Sequence, residues 1–93
     1  MEIRTLKYFL AVAREENITR AAKFLHITQP TLSRQLMQLE EELDAQLFIR
    51  GKNRIVLTDE GMLLRRRAEE IVDLAKKTEK EFLERNDLVT GEI

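Results

Sequence analysis

Residues Thr19–Leu36 read TRAAKFLHITQPTLSRQL, two short helical stretches joined by a tight turn. The first runs from about Arg20 to Leu25, with Thr19 as a plausible N-cap. Ala21, Ala22 and Leu25 give it a small-residue face, which lets a second helix cross closely, as in a helix-turn-helix. His26, Ile27 and Thr28 form the turn, with Ile27 pointing inward. The second helix takes Thr28 as its N-cap and accommodates Pro30 in its first turn, where the missing N–H leaves no intrahelical bond unmade. That helix opens with Gln29, Pro30, Thr31, Ser33 and Arg34, short or flexible hydrogen-bonding groups with one fixed cation. Such an end suits a DNA major groove, because Gln and Arg can each make bidentate contacts to base edges. A helix that needed only solubility would more often carry Glu and Lys there.

The same helix continues with Leu32, Leu36, Leu39 and Leu43, spaced 4, 3 and 4, a stripe expected to be buried. Its polar face holds Thr31, Ser33, Arg34, Gln35 and Gln38. Upstream, a helix is expected from Ile3 to Glu15, with Leu6, Phe9, Leu10 and Ala13 as its apolar face. Downstream, Leu47–Ile49 and Ile55–Leu57 read as two strands joined by a Gly51-Lys52-Asn53 turn, a small hairpin with a basic tip. Thr58, followed by Asp59 and Glu60, then opens a helix whose carboxylates suit the positive end of its dipole. No breaker interrupts it from Met62 to about Arg85. Leu64, Ala68, Ile71, Ala75, Thr78 and Phe82 are spaced as a heptad seam, and a second copy of the helix is the simplest cover for it.

The chain has 93 residues, enough for one small domain with an appendage, and association would help so small a core. Three Gly and one Pro argue against an all-β or loop-rich chain. The absence of Cys excludes a disulfide framework and thiolate metal sites. No signal peptide or membrane span is visible, so a cytoplasmic location is expected, without membrane partners. The formal net charge is −1, yet the charge is unevenly spread. Arg4 to Arg34 carries six basic against two acidic residues, and Arg50 to Arg54 three basic against none. Glu40, Glu41, Glu42 and Asp44 then offset four of those cations. A local positive surface is compatible with this balance, though with weaker binding per monomer than a strongly basic domain would show.

In order and at consistent spacing, LKYFLAVAREENITRAAKFLHITQPTLSRQLMQLEEEL, then QLFIR, then VLTDEG, resemble the N-terminal DNA-binding region of the LysR-type transcriptional regulators. The resemblance covers nearly the whole chain. It implies a mainly α fold: a winged helix-turn-helix over 1–58 and a linker helix over 59–90 that pairs two subunits antiparallel. Residues 91–93 would then be the start of an effector-binding domain that the chain lacks, opening with a strand. A small-molecule effector would act only through that domain. The implied partner is double-stranded DNA bearing an inverted repeat, and neither a cofactor nor catalysis is expected.

Residue by residue, the resemblance places base reading on Gln29, Pro30, Ser33 and Arg34, and wing contacts on Arg50 and Arg54, with Lys52 adding charge. Thr28, Thr31 and Gln38 complete the expected DNA-facing set. Arg54 is the preferred groove residue, and Arg50 the one to pair with a helix 3 carboxylate. Asp44 stands where the family commonly ends that helix with Gly. For Arg65, Arg66 and Arg67 two roles are open, contact with DNA or ion pairing across a dimer with Glu69, Glu70 or Asp73. His26 lacks a second ligand, and the acidic run 40–44 fans around a helix, so neither forms a metal site. A protein-interaction module without DNA binding is the competing function, separable by the salt dependence of DNA binding.

Overall fold

The computed structural model describes the backbone of residues 1–52 and 54–92 and the side chains of residues 1–52 and 54–85. Helix α1 spans Ile3–Glu15, α2 Ile18–Leu25 and α3 Gln29–Leu43; strands β1 (Phe48–Arg50) and β2 (Ile55–Leu57) form an antiparallel hairpin, and α4 spans Asp59–Glu92. Phe48 pairs with Leu57, Ile49 with Val56 and Arg50 with Ile55.

Helix α1 is the centre of the domain, packed against α2, α3, α4 and β2. It therefore buries more than a stripe. Leu6, Phe9, Ala11 and Val12 are all in the core, whereas Leu10 and Ala13, expected on the buried face, are half-buried at its flank. The Phe9 and Phe48 rings tilt against each other with centroids 5.3 Å apart, tying the hairpin to α1. Ala21 and Ala22 are buried where α2 meets its neighbours, and Leu32, Leu36 and Leu39 supply the inner face of α3. Leu43 is exposed, because the stripe of α3 outruns the domain it packs on.

Three helix ends explain the turns. Asn17, not Thr19, caps α2: its side chain accepts from the Arg20 N–H at 2.9 Å. The helix starts two residues earlier that way, at Ile18, which goes into the core. The Thr28 hydroxyl caps α3 as expected, accepting from the Thr31 N–H at 3.3 Å. Thr58 likewise accepts from the Gly61 N–H at 3.0 Å at the start of α4. Glu16, His26 and Asp44 stand just past the ends of α1, α2 and α3 with φ of 54°, 59° and 50°, the left-handed conformation that closes a helix.

The hairpin is pinned at its base. The Glu40 carboxylate accepts from the Leu47 N–H at 2.7 Å, and the Thr58 N–H donates to the Leu47 carbonyl at 3.0 Å. Strand β1 begins one residue later than expected, at Phe48, with the Leu47 N–H turned to the Glu40 carboxylate. On the other side, the Ile55 N–H donates to the Glu16 carbonyl at 3.0 Å. Gly61 sits so close that an added Cβ would lie 2.2 Å from the Leu47 carbonyl oxygen.

Helix α4 continues through Glu92, where a strand from Gly91 was expected. A helix satisfies its backbone internally, whereas a strand needs a neighbour, and none lies beside it among the described residues. Asn53 and Ile93 lie outside the described residues. Among those described, no helix is long and apolar enough to cross a membrane.

Candidate nucleic-acid interface

Helix α3 is presented by α2 and by the end of α1. The Thr5 hydroxyl, on a buried residue of α1, donates to Gln35 Oε1 at 3.2 Å, so Gln35 belongs to the packing and not to the free face. On the outer side, Thr28, Gln29, Pro30, Arg34 and Gln38 are exposed, and Thr31 and Ser33 are half-buried. Among the described residues no carboxylate pairs with Arg34. The Thr28 hydroxyl donates to Thr31 Oγ1 at 2.8 Å, so the two threonines act first on each other and on the helix start. The Thr19 hydroxyl donates to Gln29 Oε1 at 3.3 Å and steers that side chain from the first turn of α2.

The hairpin brings its cations to the same place. Arg50, Lys52 and Arg54 line a cleft of about 320 Å³ together with Gln29, Asn17 and Thr19. Residues some 25 positions apart in sequence thus share one surface at the N-terminal ends of two helices, where backbone N–H groups favour anions. Arg54 Nη2 lies 3.8 Å from the Glu16 carboxylate. Arg50, expected to pair with α3, makes no ion pair with it among the described residues; Glu40 instead holds the Leu47 backbone. No group of three or more potential metal ligands occurs among the described residues.

Three contributors were missed in the sequence. Thr19 orients Gln29, and Glu16 holds the wing through both its carbonyl and its carboxylate. Met37 is the third: it is 56% exposed one helical turn beyond Ser33 and Arg34. An apolar group there can meet a thymine methyl. Its signal was available, since Met37 falls between the leucines of the buried stripe.

The seam of α4 divides. Leu64 and Ala68 are buried against their own domain, Ile71 and Ala75 are half-buried, and Thr78 and Phe82 are exposed. Leu74 and Leu83, off the expected seam, are 64% and 67% exposed. Arg67 pairs with Glu70 at 3.0 Å within the helix.

A three-helix core with a capped, polar-faced third helix and a basic two-stranded hairpin beside it is a winged helix-turn-helix. The family model described as "Bacterial regulatory helix-turn-helix protein, lysR family" matches residues 3–62. The chain belongs to the LysR family. It is 46% identical to the HTH-type transcriptional regulator BsdA of Bacillus subtilis over all of its length and 32% of that protein's. With the probable cat1 operon transcriptional activator of Acinetobacter lwoffii it shares 54% identity over 68% of its own length and 21% of the other's. The chain thus spans a third or less of these relatives. Among solved structures, the CbnR DNA-binding domain in complex with DNA superposes with a TM-score of 0.89 at 38% identity, covering 92% of this chain and 99% of that one. The BenM DNA-binding domain with benA site 1 DNA gives 0.86 at 39% identity, covering 90% and 98%.

Proposed function

We propose that this chain is the sequence-specific DNA-binding part of a cytoplasmic bacterial transcriptional regulator, without catalytic activity of its own. Helix α3 enters the major groove, with Gln29, Pro30, Ser33 and Arg34 on base edges and Gln38 and the α3 N-terminus toward phosphates. The wing lies along the adjacent backbone or minor groove through Arg50, Lys52 and Arg54. Two copies pair through the exposed part of α4, so the preferred site is an inverted repeat. Effector sensing belongs to a further domain of the full-length regulator.

The carrying observation is that Gln29 of α3 and the three wing cations line a single cleft, so one face offers both base-reading and phosphate-neutralising groups. A net charge of −1 means that these local cations, and not the whole molecule, must hold the phosphates. The DNA complexes of the CbnR and BenM domains support the same reading. The test is selection of duplexes from a random pool, followed by titration of the winner across salt. Enrichment of an inverted repeat and a steep loss of affinity from low to moderate salt are expected. Binding that ignores salt would overturn the reading and favour a protein-interaction module.

A further inference from the structure

Among the described residues, Gln29 is the one expected base reader whose side chain is bonded to another helix. Its Oε1 accepts from the Thr19 hydroxyl of α2 at 3.3 Å, and both residues are exposed. The Thr28 hydroxyl is bonded to Thr31 and does not compete for the amide. Pro30 follows directly and narrows the backbone freedom of Gln29, which fixes the root of the side chain. The two arms of a carboxamide lie in one plane and diverge, so an oxygen turned toward α2 sends the NH2 group the other way. Gln29 lines the cleft shared with Arg50, Lys52 and Arg54, where phosphate oxygens and base acceptors would arrive. An outward NH2 group is complementary to those acceptors.

Resting on the DNA reading above, we infer that Thr19 is a positioning residue that makes Gln29 a hydrogen-bond donor alone. A free glutamine reads adenine with both arms, the oxygen accepting from the N6 amino group and the nitrogen donating to N7. That pairing needs both arms aimed at one base edge, and Thr19 turns one of them away. The remaining NH2 group can donate to guanine O6 or N7, or to thymine O4. Every base pair shows one amino group in the major groove, adenine N6 or cytosine N4, and a donor makes no use of it. Gln29 therefore reads the acceptors of its pair and ignores the amino group. The Thr19–Gln29 bond is weak on the free, wet surface. Docking strengthens it, because DNA expels water from the cleft and leaves the hydroxyl as the partner at hand for Oε1.

The test starts from the duplex that the parent chain selects out of a random pool. Comparison with the duplexes selected by Gln29→Ala identifies the pair that Gln29 reads. The major-groove amino group of that pair is then deleted, with purine in place of adenine or a cytosine lacking its N4 amino group. Each loss of affinity is referred to the loss seen with Gln29→Ala, so that effects on the duplex itself cancel. The parent and Thr19→Ser, which keeps the hydroxyl, should bind the altered duplex within about twofold of the original. Thr19→Val keeps the shape and frees the amide. It should come to prefer adenine at that pair and lose roughly tenfold when the N6 amino group is deleted. A parent that loses roughly tenfold overturns the inference, because Gln29 would then be using its oxygen on the base. A Thr19→Val protein indistinguishable from the parent also overturns it, as does one that weakens on every duplex alike, which marks Thr19 as a phosphate contact. If Gln29→Ala selects the parent's site, Gln29 reads no base, and the inference falls while DNA binding stands. A parent that enriches no site overturns the DNA reading itself.

Discussion

Arg54 of the wing and Glu16 at the end of α1 face each other at 3.8 Å, and the backbone of the next residue, Ile55, is bonded to the Glu16 carbonyl. The wing is thus anchored by backbone and only loosely held by charge, since both side chains are largely exposed. A phosphate would compete with Glu16 for the guanidinium. Arg54→Ala should therefore weaken DNA binding and lower the salt slope by about one. Glu16→Gln should do the reverse, tightening binding by several-fold at low salt, because it removes an anion from the phosphate-facing side. Fluorescence titrations across salt check both. An unaltered slope for Arg54→Ala would mean the wing stands clear of DNA.

Arg34 projects from the outer face of α3 without a carboxylate partner among the described residues. Arg34→Ala should cost about 1–3 kcal/mol of specific binding and leave thermal stability almost unchanged. Equal affinity of the variant and the parent for the selected duplex would remove Arg34 from base reading.

Gly61 lies in the first turn of α4, where an added methyl would sit 2.2 Å from the Leu47 carbonyl oxygen, a backbone atom that cannot swing away. Gly61→Ala should destabilise the domain by roughly 2–4 kcal/mol. Urea denaturation measures this, and a midpoint within error of the parent would show that α4 can shift outward freely.

Asp44 ends α3 with φ 50° and places a carboxylate at the negative end of the helix dipole. Asp44→Gly relieves both the left-handed strain and the charge, against a larger chain entropy in the unfolded state. A net gain of about 0.5–1.5 kcal/mol is expected in the same denaturation assay. Loss of stability would point to a role for the Asp44 side chain beyond ending the helix.

Leu83, Leu74 and Phe82 are the most exposed apolar groups of α4 among the described residues, whereas Leu64 and Ala68 are buried in their own domain. Leu74→Asp should leave the fold intact and shift sedimentation toward monomer, while Leu64→Asp should unfold the chain. A dimer that survives Leu74→Asp would place the pairing surface elsewhere.

The helix-turn-helix was legible because its signals are local. Thr28 as a cap, Pro30 in the first turn and the Leu32-Leu36-Leu39 spacing each act over one or two helical turns, so reading along the chain finds them. The polar outer face of α3 was legible for the same reason. The cap of α2 was misplaced because Asn17 and Thr19 are both competent cap residues locally; burial of Ile18 decides between them, and burial is a property of the assembled core. Gln35 looked like part of the free face until α1 brought Thr5 against it.

By itself the sequence determined which segments are helical, which end of α3 is polar and free of carboxylates, and that a basic hairpin follows, because propensity, capping and periodicity are short-range. Tertiary structure alone decided that Gln29 and the wing cations share a cleft, that Glu16 anchors the wing, and that the first half of the α4 seam is buried in its own domain. Those relationships join residues far apart in sequence, and their geometry is set by how α1 packs against every other helix and against β2.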